Sequence, residues 1–204
     1  MGEVIWLGVL LGVGAALSVG PIFVTILNEA ATRGFGAAFR VILGSATADV
    51  ALLLPALAFA WVIAAVTQAA FWVGLIGAAF FLWLAVGAVR DAVRLWRAES
   101  VPNAEGWAFW KGVVGNLANP LTWTFWLATG TPAMLRAKHL AGPAGLAAFT
   151  VTWFVVASGL EAAIALAVAS SGRHIGPRGQ STFTALSGVV FATLAGVMLT
   201  RSTG

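Results

Sequence analysis

Two acidic residues, Asp49 and Glu161, stand alone in long stretches that otherwise carry no charge. Val41 to Val89 holds only Asp49, and Leu140 to Gly172 holds only Glu161. A carboxylate at the middle of a bilayer costs about 2.5–3.5 kcal/mol or more when it is charged and unpaired. It persists there if a proton neutralises it or a bound cation compensates it. The first is what proton coupling requires, and the second is what ammonium binding requires. The plainer alternative is a neutral structural acid, hydrogen-bonded to a neighbouring helix. Ser45 lies one turn before Asp49, and Ala157 and Ser158 one turn before Glu161, so each acid has small or polar neighbours on its own helical face.

A second constellation precedes each acid. Ser18-Val19-Gly20-Pro21 and Leu117-Ala118-Asn119-Pro120 each place a proline inside an apolar run. Proline has no N–H and clashes with the carbonyl one turn back, so it frees backbone groups. In hydrocarbon these groups must find partners or line a wet cavity. A helix that restarts at such a point presents free N–H groups, which attract an anion. Gly20 allows close backbone approach, and Asn119 suits an N-cap. Thr122 and Thr124 are placed to satisfy groups freed at Pro120. A simple kink would explain one proline, whereas the matched pair argues for a site.

Asn28 and Asn116 add uncharged donors and acceptors able to hold a zwitterion, or else to make helix-end hydrogen bonds. The candidate substrate-binding set is Gly20, Pro21, Asn28, Asp49, Asn116, Asn119, Pro120 and Glu161, with Asp49 and Glu161 as the proton-coupling pair. No lysine or arginine lies deep in a span. Arg40, about two turns before Asp49, either snorkels to the interface or pairs with that acid. Two acids without a fixed deep cation suit a cationic substrate. They also suit a zwitterion whose carboxylate goes to the helix ends.

The elements that must position these residues are membrane helices. Of 204 residues, 60% are hydrophobic and only 9% charged, and mean hydropathy is +0.96. A soluble domain of this size would carry about 25% charge. The chain therefore reads as one all-α membrane domain, residues 1–204. A crossing helix needs about 20 apolar residues, and the charge-poor runs predict six spans near 4–28, 39–63, 69–90, 112–133, 145–168 and 182–200. The second and third separate near Thr67-Gln68. The runs are continuous rather than alternating, which excludes a β-barrel. The first run lacks a positive n-region and is too long for a signal peptide, so it is read as a retained helix.

Trp6, Trp61, Trp72, Trp96, Trp107 and Trp110 lie at span ends and read as interfacial anchors. Trp123, Trp126 and Trp153 lie deeper and read as core packing ahead of cavity lining. Gly8 and Gly12 have the small-residue spacing that lets helices approach closely.

The net charge of +4 is explained by topology rather than by nucleic acid. Odd-numbered loops carry Arg33, Arg40, Arg90, Arg94, Arg97, Lys111, Arg173 and Arg178, and the other side carries Arg136, Lys138 and Arg201. The positive-inside rule puts the larger group in the cytoplasm and both termini outside.

The two halves align at an offset of about 110 residues. Ala37-Ala38-Phe39 returns as Ala147-Ala148-Phe149, Ala79-Phe80 as Val190-Phe191, and Val86-Gly87 as Ala195-Gly196. Each half has three spans. An odd number inserts the second half upside down, so the expectation is an inverted repeat: residues 1–90, a linker at 91–111, and 112–204.

Enzyme chemistry finds little footing, and no cofactor is implied. The chain has no cysteine, and both histidines, His139 and His174, fall in predicted loops. There is no Gly-x-Ser-x-Gly elbow and no glycine-rich phosphate loop. An aspartyl dyad of Asp49 and Glu161 has no other support.

The motifs taken together resemble the LysE family of amino-acid exporters, the RhtB branch included, over nearly the whole chain. They are the Gly-Pro of span one, Arg-Gly-Phe-Gly-Ala-Ala-Phe at 33–39, Gly44-Ser45-Ala46-Thr47-Ala48-Asp49, and Lys111-Gly112-Val113-Val114-Gly115-Asn116-Leu117-Ala118-Asn119-Pro120-Leu121. Val19 stands where the family often has a first proline, and Ala48 precedes Asp49 where many members have glycine. The resemblance implies a bacterial inner-membrane protein that exports amino acids or small metabolites from the cytoplasm. Proton antiport or the membrane potential would drive it. Its partners would be a small-molecule substrate, protons and the lipid bilayer, with a homodimer left open.

Two other classes remain. An inorganic cation exporter would want several oxygen ligands close together, or Cys and His for softer metals. A non-transporting membrane subunit would leave the paired acids unexplained.

Overall fold

Among the described residues of the computed structural model (1–18, 20–58, 70–97, 99, 105–172 and 177–203), every regular element is a helix. In chain order these are α1 (Gly2–Ala16), α2 (Pro21–Arg33), α3 (Phe35–Ala58), α4 (Ala70–Trp96), α5 (Glu105–Leu117), α6 (Pro120–Phe125), a π-helical turn (Trp126–Gly130), α7 (Thr131–Gly172) and α8 (Pro177–Thr203). The expected break at Thr67-Gln68, the interfacial Trp61 and the loop residue His174 lie outside the described residues.

Pro21 and Pro120 do not kink helices from within. Each opens a new helix at its first turn, where a missing N–H leaves no bond unmade. The expected first span is therefore two helices, α1 and α2, separated at Leu17–Gly20. The expected fourth is α5, a break at Ala118-Asn119, and a continuation through α6 and the π turn. That continuation runs past residue 133 into α7 and ends only at Ala141-Gly142, where the backbone leaves helical geometry. His139 thus sits in a helix rather than a loop.

Gly34 ends α2 at φ 86°, and Gly142 divides α7 at φ 62°. Both angles fall where a side chain would be strained, so glycine serves at these elbows. Each elbow lies between a helix restarted at a proline and the helical arm that carries an acid. Helix also occupies both ends of the stretch 91–111, since α4 runs on to Trp96 and α5 begins at Glu105.

Among the described residues, four helices are long and apolar enough to cross a membrane, or five if α1 and α2 count as one span. They are Phe35–Leu53, Leu75–Trp96, Leu121–Ser171 and Arg178–Val197. The third runs 51 residues and contains the Gly142 elbow. Outward-facing positions such as Leu43, Ile76, Val151, Val155, Leu186 and Val189 are apolar and exposed, as a bilayer solvent requires. Trp6, Trp72, Trp96, Trp107 and Trp110 are exposed as well, which suits interfacial anchors.

Three helix pairings build the interior. α1 lies parallel to the long arm of α7, with Gly8 and Gly12 against Thr152 and Val156. α3 lies parallel to α5 at still closer range. A methyl group on Gly44 would collide with the Phe109 carbonyl, and one on Gly112 with the Val41 carbonyl. α4 packs antiparallel to α8. Phe81 and Phe191, both fully buried, stack there at 6.4 Å with ring planes 5° apart, and Ser181 donates to the Ala92 carbonyl at 2.7 Å. The partner of Phe191 is thus Phe81, one residue on from the Phe80 that sequence comparison aligned with it.

Candidate functional site

The backbone breaks before α2 and α6 open a cavity of about 120 Å³. Gly20, Ile22 and Phe23 line it from the start of α2, and Asn119, Leu121 and Thr122 from the start of α6. α3 contributes Ser45 and Asp49, α5 contributes Asn116, and the long arm of α7 contributes Trp153, Ser158 and Glu161. Five of the eight residues expected at the site therefore meet here: Gly20, Asp49, Asn116, Asn119 and Glu161.

Pro21 and Pro120 stand directly behind the rim as the first residues of α2 and α6. The Pro21 carbonyl accepts from the Thr25 hydroxyl at 2.8 Å. Asn28 is not part of this cavity. It lies two turns along α2 and lines another.

The chemistry at each rim differs. Asn119 caps α6, its Oδ1 accepting from Leu121 N at 3.1 Å. Gly20 leaves α2 without a side-chain cap, so the first N–H groups of that helix remain available beside the cavity. A polar relay crosses the floor. Asn119 Nδ2 donates to Thr122 Oγ1 at 3.1 Å, Thr122 donates to Asn116 Oδ1 at 2.6 Å, and Asn116 Nδ2 donates to the Ser45 carbonyl at 2.9 Å. Thr122 therefore serves a side chain rather than the freed backbone. The carbonyl released at Leu117 is taken instead by Trp123 Nε1 at 2.7 Å.

Asp49 is buried, and its Oδ1 accepts from Trp126 Nε1 at 2.8 Å. The Asn116 amide also reaches it. Trp126 opens the π turn. The extra residue of such a turn re-aims a side chain, and here it delivers the indole to the acid. Gly130 makes room, since a Cβ there would lie 2.5 Å from the Trp126 ring. Glu161 stands across the cavity, close enough to feel the charge of Asp49.

Among the described residues no lysine or arginine lines this cavity. Trp153, expected as core packing, forms part of its wall with Phe125 and Phe154. Its buried Nε1 has no partner, which leaves one more donor beside the site.

A family comparison bears on this arrangement. The model of the LysE type translocator family matches residues 13–202. The chain belongs to the LysE type translocator family. Comparison with curated proteins and with solved structures gives no match. As a LysE type translocator with several membrane-crossing helices, the protein is a multi-pass membrane protein of a transporter class.

Charge counting on this translocator treated Arg33 and Lys111 only as topological markers, and Glu29 not at all. In the structure they form a buried network. Glu29 Oε1 accepts from Arg33 at 2.9 Å and from Lys111 at 2.6 Å, while Arg33 also reaches Asp91 at 2.7 Å. Arg94 lies 3.7 Å from Asp91. The network ties α2 and α4 to α5 and lines a second cavity of about 300 Å³. The i,i+4 spacing of Glu29 and Arg33 on one helical face was the available signal. A first span ending at Asn28 leaves that pair outside the helix, whereas α2 runs on to Arg33.

Proposed function

We propose that this translocator exports amino acids or related small amine or zwitterionic metabolites from the cytoplasm, coupled to proton antiport or to the membrane potential. The observation that carries the reading is the 120 Å³ cavity, where Asp49 and Glu161 face the uncapped start of α2 without a competing lysine or arginine. An ammonium compensates the acids, and a carboxylate suits the free N–H groups of the half-helix. The volume suits a small polar molecule better than a drug-sized one.

The proposed cycle begins with entry from the cytoplasm. The substrate docks between the starts of α2 and α6. Its ammonium meets Asp49 and Glu161 or is exchanged there for a proton. The two halves then rock about the site and open outward.

The helix pairings support a six-span inverted repeat for this cycle. Exchange of the halves turns the α1–α7 pair into the α5–α3 pair, both parallel, and returns the antiparallel α4–α8 pair to itself. Phe81 and Phe191 then stack as mates across the pseudo-axis. The Gly34 and Gly142 elbows correspond as well. The ion-paired end with Arg33, Arg94 and Lys111 would be cytoplasmic by the positive-inside rule, and the end where Arg136 meets Glu3 at 2.6 Å would face out.

Proteoliposomes holding the purified protein test the reading. A labelled amino acid inside should exchange with unlabelled amino acid outside, and an imposed proton gradient should drive net movement. Asp49→Asn should lose the gradient-driven component. Fluxes equal to those of empty liposomes across the amino-acid panel reject the proposal.

A further inference from the structure

The acids and the helix starts account for only part of the first cavity's wall. Much of the rest is apolar. Phe23 from α2, Phe125 from the end of α6 and Phe154 from α7 line it, each half-buried, and α3 adds the small Ala46 one turn before Asp49. Neither the ammonium nor the carboxylate of a substrate needs these rings.

Trp126 joins the aromatic wall to the acid. Its indole N–H is on Asp49 at 2.8 Å, while its ring lies 4.9 Å from the Trp153 ring and 5.3 Å from that of Phe125. Phe125 stacks on Trp153 at 5.7 Å, and Phe154 meets Trp153 edge to face at 4.9 Å. The rings are thus held by one another beside Asp49. Along α7, Phe154, Ser158 and Glu161 share one helical face, so this wall passes from apolar to acidic within two turns. Phe23 is in a different condition. Among the described residues it packs against none of the three buried cores and makes no ring contact. It sits in the first turn of α2, beside the free N–H groups. A large ring on a cavity wall, without a packing partner of its own, is available to a ligand.

We infer that Phe23, Phe125 and Phe154 form a side-chain subsite that restricts the substrate to small amino acids with an uncharged aliphatic side chain, and that Phe23 sets the upper size limit. The inference deepens the export reading and rests on it for the amino-acid class. Volume and charge both support it. The cavity of about 120 Å³ lies far below the roughly 300–1,000 Å³ of a pocket for a drug-sized ligand. Beyond an ammonium and a carboxylate it leaves room for a short side chain. A second carboxylate on the substrate would face Asp49 and Glu161 with no lysine or arginine among the described lining residues. A second ammonium would be buried against rings, since the proposed cycle already engages both acids. Burying an unpaired charge is costly.

Equilibrium binding of the common amino acids to the purified protein in phosphatidylcholine nanodiscs tests it. Alanine and valine should bind more tightly than glycine, each buried methylene strengthening binding roughly fourfold. Phenylalanine, aspartate and lysine should bind more weakly than alanine, by roughly tenfold or more. Phe23→Ala vacates the space of the ring, and should raise the ratio of phenylalanine to alanine affinity roughly tenfold. Ala46→Leu narrows the cavity from α3 without removing a polar group, and should lower the ratio of valine to alanine affinity by a similar factor. Such ratios do not move when a variant merely loses folded protein.

Equal affinity for glycine, alanine and valine, or tightest binding of phenylalanine, aspartate or lysine, overturns the inference and leaves the export reading standing. Unchanged ratios in both variants do the same. Absence of binding by any amino acid overturns both.

Discussion

The cavity at the start of α2 and the cavity along its later turns are built on opposite electrostatic plans. The first holds two acids and, among the described residues, no lysine or arginine. The named contacts on Asp49 are neutral donors, the Trp126 indole and the Asn116 amide. The second holds acids already engaged by Arg33 and Lys111, with further arginines at its edge. A buried carboxylate between two cations is spent on holding helices together, whereas one that faces only neutral donors is free to exchange a proton or bind a cation. The same residue type is thus structural along α2 and available at its start. The difference lies in whether the chain supplies the counter-charge itself.

Breaking that internal pairing should have the largest effect on stability. Glu29→Ala leaves Arg33 and Lys111 facing each other without their shared acid, and a buried pair broken from one side costs about 3–5 kcal/mol. Thermal melting of the detergent-purified protein should show a marked drop. An unchanged melting temperature would mean that the network is solvated and contributes little.

The first cavity should break by geometry instead. Gly130→Ala puts a methyl group into the Trp126 ring, and overpacking of this kind costs about 1–3 kcal/mol. The indole should be pushed off Asp49, with a change in tryptophan fluorescence and slower transport together. Wild-type transport in this variant would detach Trp126 from the site. Asn119→Ala removes the cap of α6, a loss of about 1 kcal/mol. It should weaken substrate binding more than it lowers the melting temperature.

The smallest effect on stability is expected where the effect on function is greatest. Asp49→Asn keeps an acceptor for Trp126 Nε1, so its melting curve should overlay that of the parent protein. A large drop would class Asp49 with Glu29, as an acid the fold requires.

Much of the first cavity was legible in the chain. Isolated acids and a Gly-Pro or Asn-Pro in apolar runs are local signals, and five of eight candidates meet because breaks in hydrocarbon have few permitted places. Other features depended on register. Trp126 packs in the core as expected, but the π turn carries no strong local mark, so the bond from its indole to Asp49 was not legible. Asn28 was grouped with the site because it closed a charge-free run, but helix geometry carries it two turns away.

The Glu29 network joins residues 58 and 82 positions apart in sequence, and single charges near span ends do not announce such partners. The elbows at Gly34 and Gly142 were hidden for a related reason. The stretch from Pro120 to Gly142 is longer than that from Pro21 to Gly34, so no constant offset aligns both the prolines and the elbows.

Under the proposed function, Asp49 and its cavity move a substrate with an amine. Cells expressing the protein would be fed a panel of dipeptides, and the amino acids released outside would be measured beside cells expressing Asp49→Asn at equal membrane abundance. Faster release of one class of amino acid, abolished in the variant, is expected. Equal release from both, or release no faster than from cells lacking the protein across the whole panel, would contradict it.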